Sequence, residues 1–237
     1  MPNGPSTRGP GWPWNFKLTG PAVVLDHLVF AAYTLDQGVS FVQDRLGVPM
    51  AGGGKHTAMG THNRVLKLGP RQYLEVIAID PKGRQPDFPR WFNLDDSVLQ
   101  AQLKIHPRLI TWVVRTDNLD SLVKTVYGPR GCVRTLQRDA LRWRFACTDD
   151  GSMPGGGLIP HMMQWEGSGH PVEAMPESGC TLVGLDGVHT EPAFVQRVVS
   201  SLGLNRYISI HPVAEQRPPG LVARIETCAG VVKIGML

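Results

Sequence analysis

Polar and apolar residues alternate along the chain in a pattern that changes period several times, and each change predicts an element. Residues 23–31 are almost all apolar and short in extent, as a strand buried on both faces would be. Thr34-Leu35-Asp36-Gln37 then reads as a capping box. Leu35, Val39, Val42 and Leu46 follow at helical spacing, so one stripe of this helix is expected to be buried, and Gly47 can take the left-handed conformation that ends it. Residues 47–54 read as a strand running into a Gly-rich loop, 63–68 as a strand, 69–72 as a turn and 73–79 as a further strand. The predicted order is β-α-β-β-β.

The same order recurs. Residues 109–114 predict a strand. Asp117 or Asn118 then caps a helix carrying Leu119, Leu122, Val123 and Val126 on one face, stopped by Gly128, and strands follow at 132–137, 141–147 and 158–165. A shorter third copy starts near Cys180, with a strand at 181–188 and a helix opened by Pro192, and with strands at 207–210, 221–227 and 231–234. The three helices end at glycines roughly eighty residues apart, the spacing of a tandem-module fold. The predicted organisation is an irregular arm (1–22), a first βαβββ module (23–80), a connector (81–107), a second module (108–178) and a third, partial module (179–237). The connector holds Arg90-Trp91-Phe92, placed to close over something, and a short helix near 95–102.

Composition narrows the function class. A chain of 237 residues with 42% hydrophobic and 19% charged residues has ample material for a core. Net charge is only +4 and no basic run interleaves with aromatics, which argues against nucleic acid as partner. No apolar stretch approaches the roughly 20 residues of a membrane helix. Residues 1–20 have no continuous apolar core, so no secretory signal is expected; Trp12, Trp14 and Phe16 are the groups through which this arm would pack. The four cysteines (Cys132, Cys147, Cys180 and Cys228) are widely spaced without a CxxC. They are expected to be small buried hydrophobes in a reducing, cytoplasmic setting.

Two predicted strands each carry one metal-capable side chain: His27 in the first and Glu75 in the last of module one. Burying such groups is costly without a partner. For His27 the ordinary partner is a backbone carbonyl, and for Glu75 it is Arg64, Arg142 or Arg144; for the two together it is a metal ion or a polar ligand. His56 reads as a structural or lid residue. His62, where a loop enters a strand, is placed for site function. His161 reads as structural, since alternation sets it on the face opposite Gln164. Gly155-Gly156-Gly157 lacks the Lys-Ser/Thr ending of a phosphate loop and is expected to give a flexible hairpin. Trp91, Trp112, Trp143 and Trp165 are candidate pocket walls. No Ser-His-Asp or Cys-His arrangement is apparent.

The strings Leu25-Asp26-His27-Leu28-Val29, His56-Thr57-Ala58-Met59-Gly60-Thr61-His62-Asn63, Tyr73-Leu74-Glu75-Val76-Ile77 and Leu158-Ile159-Pro160-His161-Met162-Met163-Gln164-Trp165 resemble the vicinal oxygen chelate superfamily, and within it the glyoxalase-like domain family. The resemblance implies an α+β fold in which paired βαβββ modules curl their sheets into a half-open, mixed-sheet bowl. It further implies ligands for a divalent metal (Zn, Mn, Fe or Ni) on the first and last strands of each module. Those positions fall on His27 and Glu75 in module one and on Thr111 and Gln164 in module two. The set expected to hold the metal is therefore His27, Glu75, His62 and Gln164. Glu75 and His62 are the expected catalytic groups, and Asn63, Trp91, Thr111 and Trp165 the expected substrate contacts. The implied function is a metal-dependent lyase, isomerase or dioxygenase acting on a small oxygenated molecule, as a monomer or homodimer; the alternative is a metal-free binding or resistance protein of the same fold. Thr111, a poor ligand, is the main departure from the family pattern.

Overall fold

The computed structural model describes residues 23–236; the N-terminal arm with Trp12, Trp14 and Phe16 lies outside the described residues. β1 (Val24–Ala31) leads into α1 (Leu35–Leu46). Thr34 caps this helix by accepting from the Gln37 amide at 3.2 Å, while the Gln37 side chain accepts from the Tyr33 amide, one residue earlier than a capping box places it. Gly47 ends it with φ of 71°. β2 (Ala51–His56), β3 (Thr61–Gly69) and β4 (Gln72–Ile79) complete the first set. After α2 (Ser97–Ile105) the pattern repeats as β5 (Arg108–Arg115), α3 (Leu119–Tyr127), β6 (Gly131–Arg138), β7 (Leu141–Thr148) and β8 (His161–Glu166).

These eight strands form one sheet in the order β2-β3-β4-β1-β5-β8-β7-β6. β1 pairs with β4, and β5 with β8, in parallel; β1 and β5 meet antiparallel at the centre, so the two halves are related by an approximate two-fold. The sheet curls until its edge strands β2 and β6 approach each other. It is the half-open, mixed-sheet α+β bowl of tandem βαβββ halves.

A second sheet is built from β9 (Thr181–His189), α4 (Pro192–Ser201), β10 (Ile208–Pro212), β11 (Gly220–Thr227) and β12 (Gly230–Met236). Its element order repeats β-α-β-β-β, but its pairing does not. Its strand order is β10-β9-β11-β12, with β9 and β10 parallel across the α4 connection, so it is an additional C-terminal sheet and not a third section of the bowl.

The bowl has two differently filled faces. On the convex side Leu28, Phe30 and Trp112 pack with α1, α3 and the C-terminal sheet through Leu185, Leu221, Ala223 and Ile225. Burying a side chain of this size contributes roughly 1.5–3 kcal/mol. On the concave side the connector lies inside the bowl: Trp91, Phe92, Leu94, Leu99 and Leu103 pack against Val29, Ala31, Ile77, Val113, Phe145 and Met163. Phe92 and Asn93 have φ of 58° and 56°, left-handed values that non-glycine residues seldom adopt. This turn sends both the Trp91 and Phe92 rings inward.

Two local expectations are corrected. Residues 154–157 form a 3-10 turn against β5 and not a loose hairpin, so β8 starts at His161. Cys228 is exposed, while Cys132 and Cys147 face each other across β6 and β7 with sulfurs 3.3 Å apart.

Candidate functional site

β1 carries the first device of the site. Its register against β5 slips between Leu25 and His27, leaving Asp26 as the extra residue of a bulge. Simple alternation sends Asp26 and His27 to opposite faces; the bulge turns both side chains to the concave side. Asp26 is fully buried and accepts from His27 Nδ1 at 2.8 Å, Trp165 Nε1 at 2.9 Å and His170 Nε2 at 3.1 Å, with Arg115 Nη1 at 3.4 Å. Burial acts to raise its pKa, but the bonds from His170 and His27 more than offset this and hold the carboxyl well below the usual range. Asp26 is therefore an anion, and His27 donates to it from Nδ1. Nε2 is left facing Glu75 Oε2 at 3.7 Å, with the imidazole stacked on Tyr73 at 4.5 Å.

Glu75, on β4, is buried and has no Arg partner at ion-pair distance among the described residues. Arg64 is turned to the Asn63 carbonyl and Arg144 to Asp120. What holds Glu75 is Asn63, directed to the same face by the β3–β4 register. Asn63 Nδ2 donates to Glu75 Oε1 at 2.5 Å, while Asn63 Oδ1 accepts from the Gly54 amide at 2.8 Å and from Arg138 Nη1 at 3.1 Å. His56 lies beside them, its Nε2 3.8 Å from Glu75 Oε1 and its Nδ1 3.1 Å from Thr61 Oγ1. Burial lowers its pKa to about 4 against the opposing pull of Glu75, so the ring is neutral at neutral pH.

These groups surround a cavity of about 30 Å³, room for about two water molecules. Tyr73, Trp91, Phe92, Trp143, Phe145 and Trp165 supply aromatic walls, with Met163 beside them. The structure thus brings together His27, Glu75, Asn63, Trp91 and Trp165. Asn63 enters it as the amide that fixes Glu75, and most of its bonding capacity is used there.

Four expected residues are elsewhere. His62 pairs with Lys55 and Ala78 and points to the face opposite Asn63, because adjacent strand residues alternate. Gln164 is likewise turned away: β8 runs with Met163 and Trp165 inward, and Gln164 Oε1 lies 3.5 Å from Arg144. Alternation therefore holds with the opposite phase, and His161 lies on the concave side, buried under Phe92 and Phe145. Thr111 is fully buried outside the cavity, its hydroxyl donating to the Gly157 carbonyl at 3.0 Å. Trp112 faces the convex core and donates to the Leu158 carbonyl.

Sequence reasoning missed Asp26, His56, Arg138 and His170. For Arg138 a signal existed: on β6 it shares period-2 phase with Cys132 and Leu136, which pack with the concave cluster. Nothing in the local sequence announces the bulge at Asp26 or the approach of His170 from a 3-10 turn over 171–174.

The donor set does not match the expected metal site. Only His27 and Glu75 of the four expected ligands meet. His27 and His56 approach different oxygens of Glu75, and Oε1 already accepts from Asn63. Among the described residues no three His, Cys, Asp or Glu side chains converge as a metal site requires.

A curled sheet of paired βαβββ halves around one central cavity defines a protein of the vicinal oxygen chelate type. The chain belongs to the glyoxalase-like domain family, whose sequence profile matches residues 25–203. No curated protein sequence matches it. Among solved structures it is similar to a hypothetical protein from Staphylococcus aureus, with 13% identity over 81% of this chain and 86% of that one, at a TM-score of 0.58. Methylmalonyl-CoA epimerase from Mycobacterium tuberculosis is similar at 18% identity over 64% and 89% of the two chains, with a TM-score of 0.38. At these identities the likeness concerns the fold alone. No helix among the described residues is long and apolar enough to cross a membrane.

Proposed function

We propose that this protein is an enzyme of the isomerase or lyase type that removes a proton from carbon next to a carbonyl in a small oxygenated substrate, with Glu75 as the base. The observation that carries this reading is the Glu75 carboxylate itself. It is buried at an aromatic cavity, one oxygen is fixed by Asn63, and the other faces the cavity beside the His27 imidazole, with no hydrogen bond to it among the described residues. A carboxylate held in place by a fixed partner, with one oxygen open to the cavity, is positioned to act as a general base. The C–H bond breaks, the proton passes to Glu75 Oε2 and the electron pair moves into the enolate. His27, backed by Asp26, keeps its ring in place beside the base.

The test is solvent-deuterium incorporation into small carbonyl compounds, followed by proton NMR. Glu75→Gln is expected to slow exchange by about 10²–10⁴-fold. Equal exchange in the two proteins would overturn the reading. Binding without exchange in either would identify a ligand-binding protein of the same fold.

One observation favours a second reading, in which His27 and Glu75 would hold a divalent ion (Zn, Mn, Fe or Ni) that would polarise a substrate oxygen. Metal-ligating histidines are commonly held from behind by a carboxylate, as Asp26 holds His27. Two donors would leave the remaining positions to substrate and water. Elemental analysis after reconstitution checks it: about one ion per chain in the wild type, lost in His27→Ala and Glu75→Ala, is the supporting result, and no ion in the wild type removes it.

A further inference from the structure

Arg138 is the cationic group of the cavity. It stands at the end of β6, in the half of the bowl that does not carry Glu75, and reaches across the seam between the two sheet edges. Its path runs over Gly54, where an added Cβ would lie 2.8 Å from Arg138 Cδ; a side chain at that position would push the arginine out. The guanidinium ends against Asn63 Oδ1 at 3.1 Å.

Other arginines of the fold are neutralised by carboxylates: Arg115 by Asp26, Arg90 by Asp95, Arg144 by Asp120 and Arg224 by Asp186. Arg138 has no carboxylate within ion-pair distance among the described residues, and its guanidinium bonds to a neutral amide oxygen. A guanidinium offers five N–H donors in a planar fork that matches a carboxylate, and most of this fork is not used by the protein. Aromatic side chains make up much of the surrounding wall, which lowers the local dielectric and strengthens an ion pair formed there.

We infer that Arg138 anchors an anionic group of the substrate, and that the substrate class is short-chain 2-oxo and 2-hydroxy carboxylic acids. The inference rests on the reading of Glu75 as the base. Asn63 links the two charged groups, its carbonyl on Arg138 and its amide on Glu75, so a ligand held by the guanidinium presents carbon one or two bonds from its carboxylate to Glu75. The fork can span one carboxylate oxygen and the neighbouring 2-oxo oxygen, where negative charge develops when the proton leaves. The free space among the lining side chains is only about 30 Å³, so the part of the ligand seated beside Glu75 is small.

The experiment uses pyruvate and its neutral counterpart hydroxyacetone, which differ at the carboxylate, on the full chain. Affinity is measured by ligand-observed NMR and calorimetry. The wild type is expected to bind pyruvate at least 10-fold more tightly than hydroxyacetone. Arg138→Gln is expected to erase that preference, and Arg138→Lys, which keeps the charge without the fork, to retain part of it. Equal affinity for the two compounds in the wild type, pyruvate binding that survives Arg138→Gln, or no binding of pyruvate or lactate at millimolar concentration would each overturn the inference. The wild-type comparison needs no variant, so a folding defect in Arg138→Gln does not decide the outcome. Glu75→Gln separates the two readings. Arg138-dependent binding without deuterium exchange in the wild type removes the base and keeps the anchor, whereas exchange that is indifferent to Arg138 keeps the base and removes the anchor.

Discussion

Asp26 shows how much one residue decides here. Its carboxylate is removed from water and repaid by donors from His27, His170, Trp165 and Arg115, which come from three separate parts of the chain. His170 Nδ1 accepts from the Val172 amide, so its Nε2 carries the proton that Asp26 receives as a bond. Replacing Asp26 by Asn sets an amide NH₂ among these donors and withdraws the charge. The expected loss is about 3 kcal/mol of stability, seen as a lower midpoint in urea unfolding at unchanged slope. A midpoint within error of the wild type would show that the buried carboxylate is not what ties these segments together. The companion expectations at this scale divided by face. His27 and Glu75 meet because parallel β1 and β4 set them on one side, and His62 fails because it is one residue out of phase with Asn63.

At the scale of elements, the site depends on segments with little regular structure. The turn over 154–157 packs on β5, where the Gly157 carbonyl accepts from Thr111 and a Cβ on Gly157 would lie 1.9 Å from the Ile110 carbonyl oxygen. With φ of 93° at the same residue, Gly157→Ala meets both a backbone clash and a conformation L-residues avoid. It is expected to destabilise the fold by about 2 kcal/mol or more, measured by thermal unfolding. A melting temperature within about 1 °C of the wild type would mean that the turn can move off β5 at no cost. The connector acts in the same way on the other side of the bowl: Arg90, tied to Asp95 and Gln85, anchors the left-handed turn that inserts Trp91 and Phe92.

For the molecule as a whole, two buried imidazoles contribute to the loss of stability in acid. His56 and His161 both have pKa values lowered to about 4 by burial. Burial of His161 outweighs a raising contact with the Ala146 backbone, and Phe92 and Phe145 pack around the ring. Both rings are neutral in the fold and take up protons near pH 6.5 once unfolded. Their stabilising effect is therefore complete above pH 6.5 and is lost as pH falls towards 4, where the unfolded chain binds up to two more protons. His161→Phe keeps the aromatic packing and removes one of these protons. It is expected to flatten the fall in unfolding free energy between pH 6.5 and 4, followed by denaturation across that range. An unchanged slope would assign the acid sensitivity elsewhere.

The periodicity of apolar residues determined the elements and their repetition, because burial of a stripe or a strand face is a local demand that each segment writes into its own sequence; the bowl was implied by the resemblance of the motif strings to the glyoxalase-like family. His27 and Glu75, singled out from the motif strings, reach one cavity because β1 and β4 pair side by side. What the tertiary structure decided was everything that depends on phase and on approach between distant segments. A one-residue bulge turned Asp26 inward, and the phase of β8 turned Gln164 outward and His161 in. The pairing of the last four strands made a separate sheet from a familiar element order. Curling of the large sheet brought Arg138 to Asn63 across a seam that no strand pairing closes. Register and curvature arise from the summed packing of many residues, so no short stretch of sequence carries them.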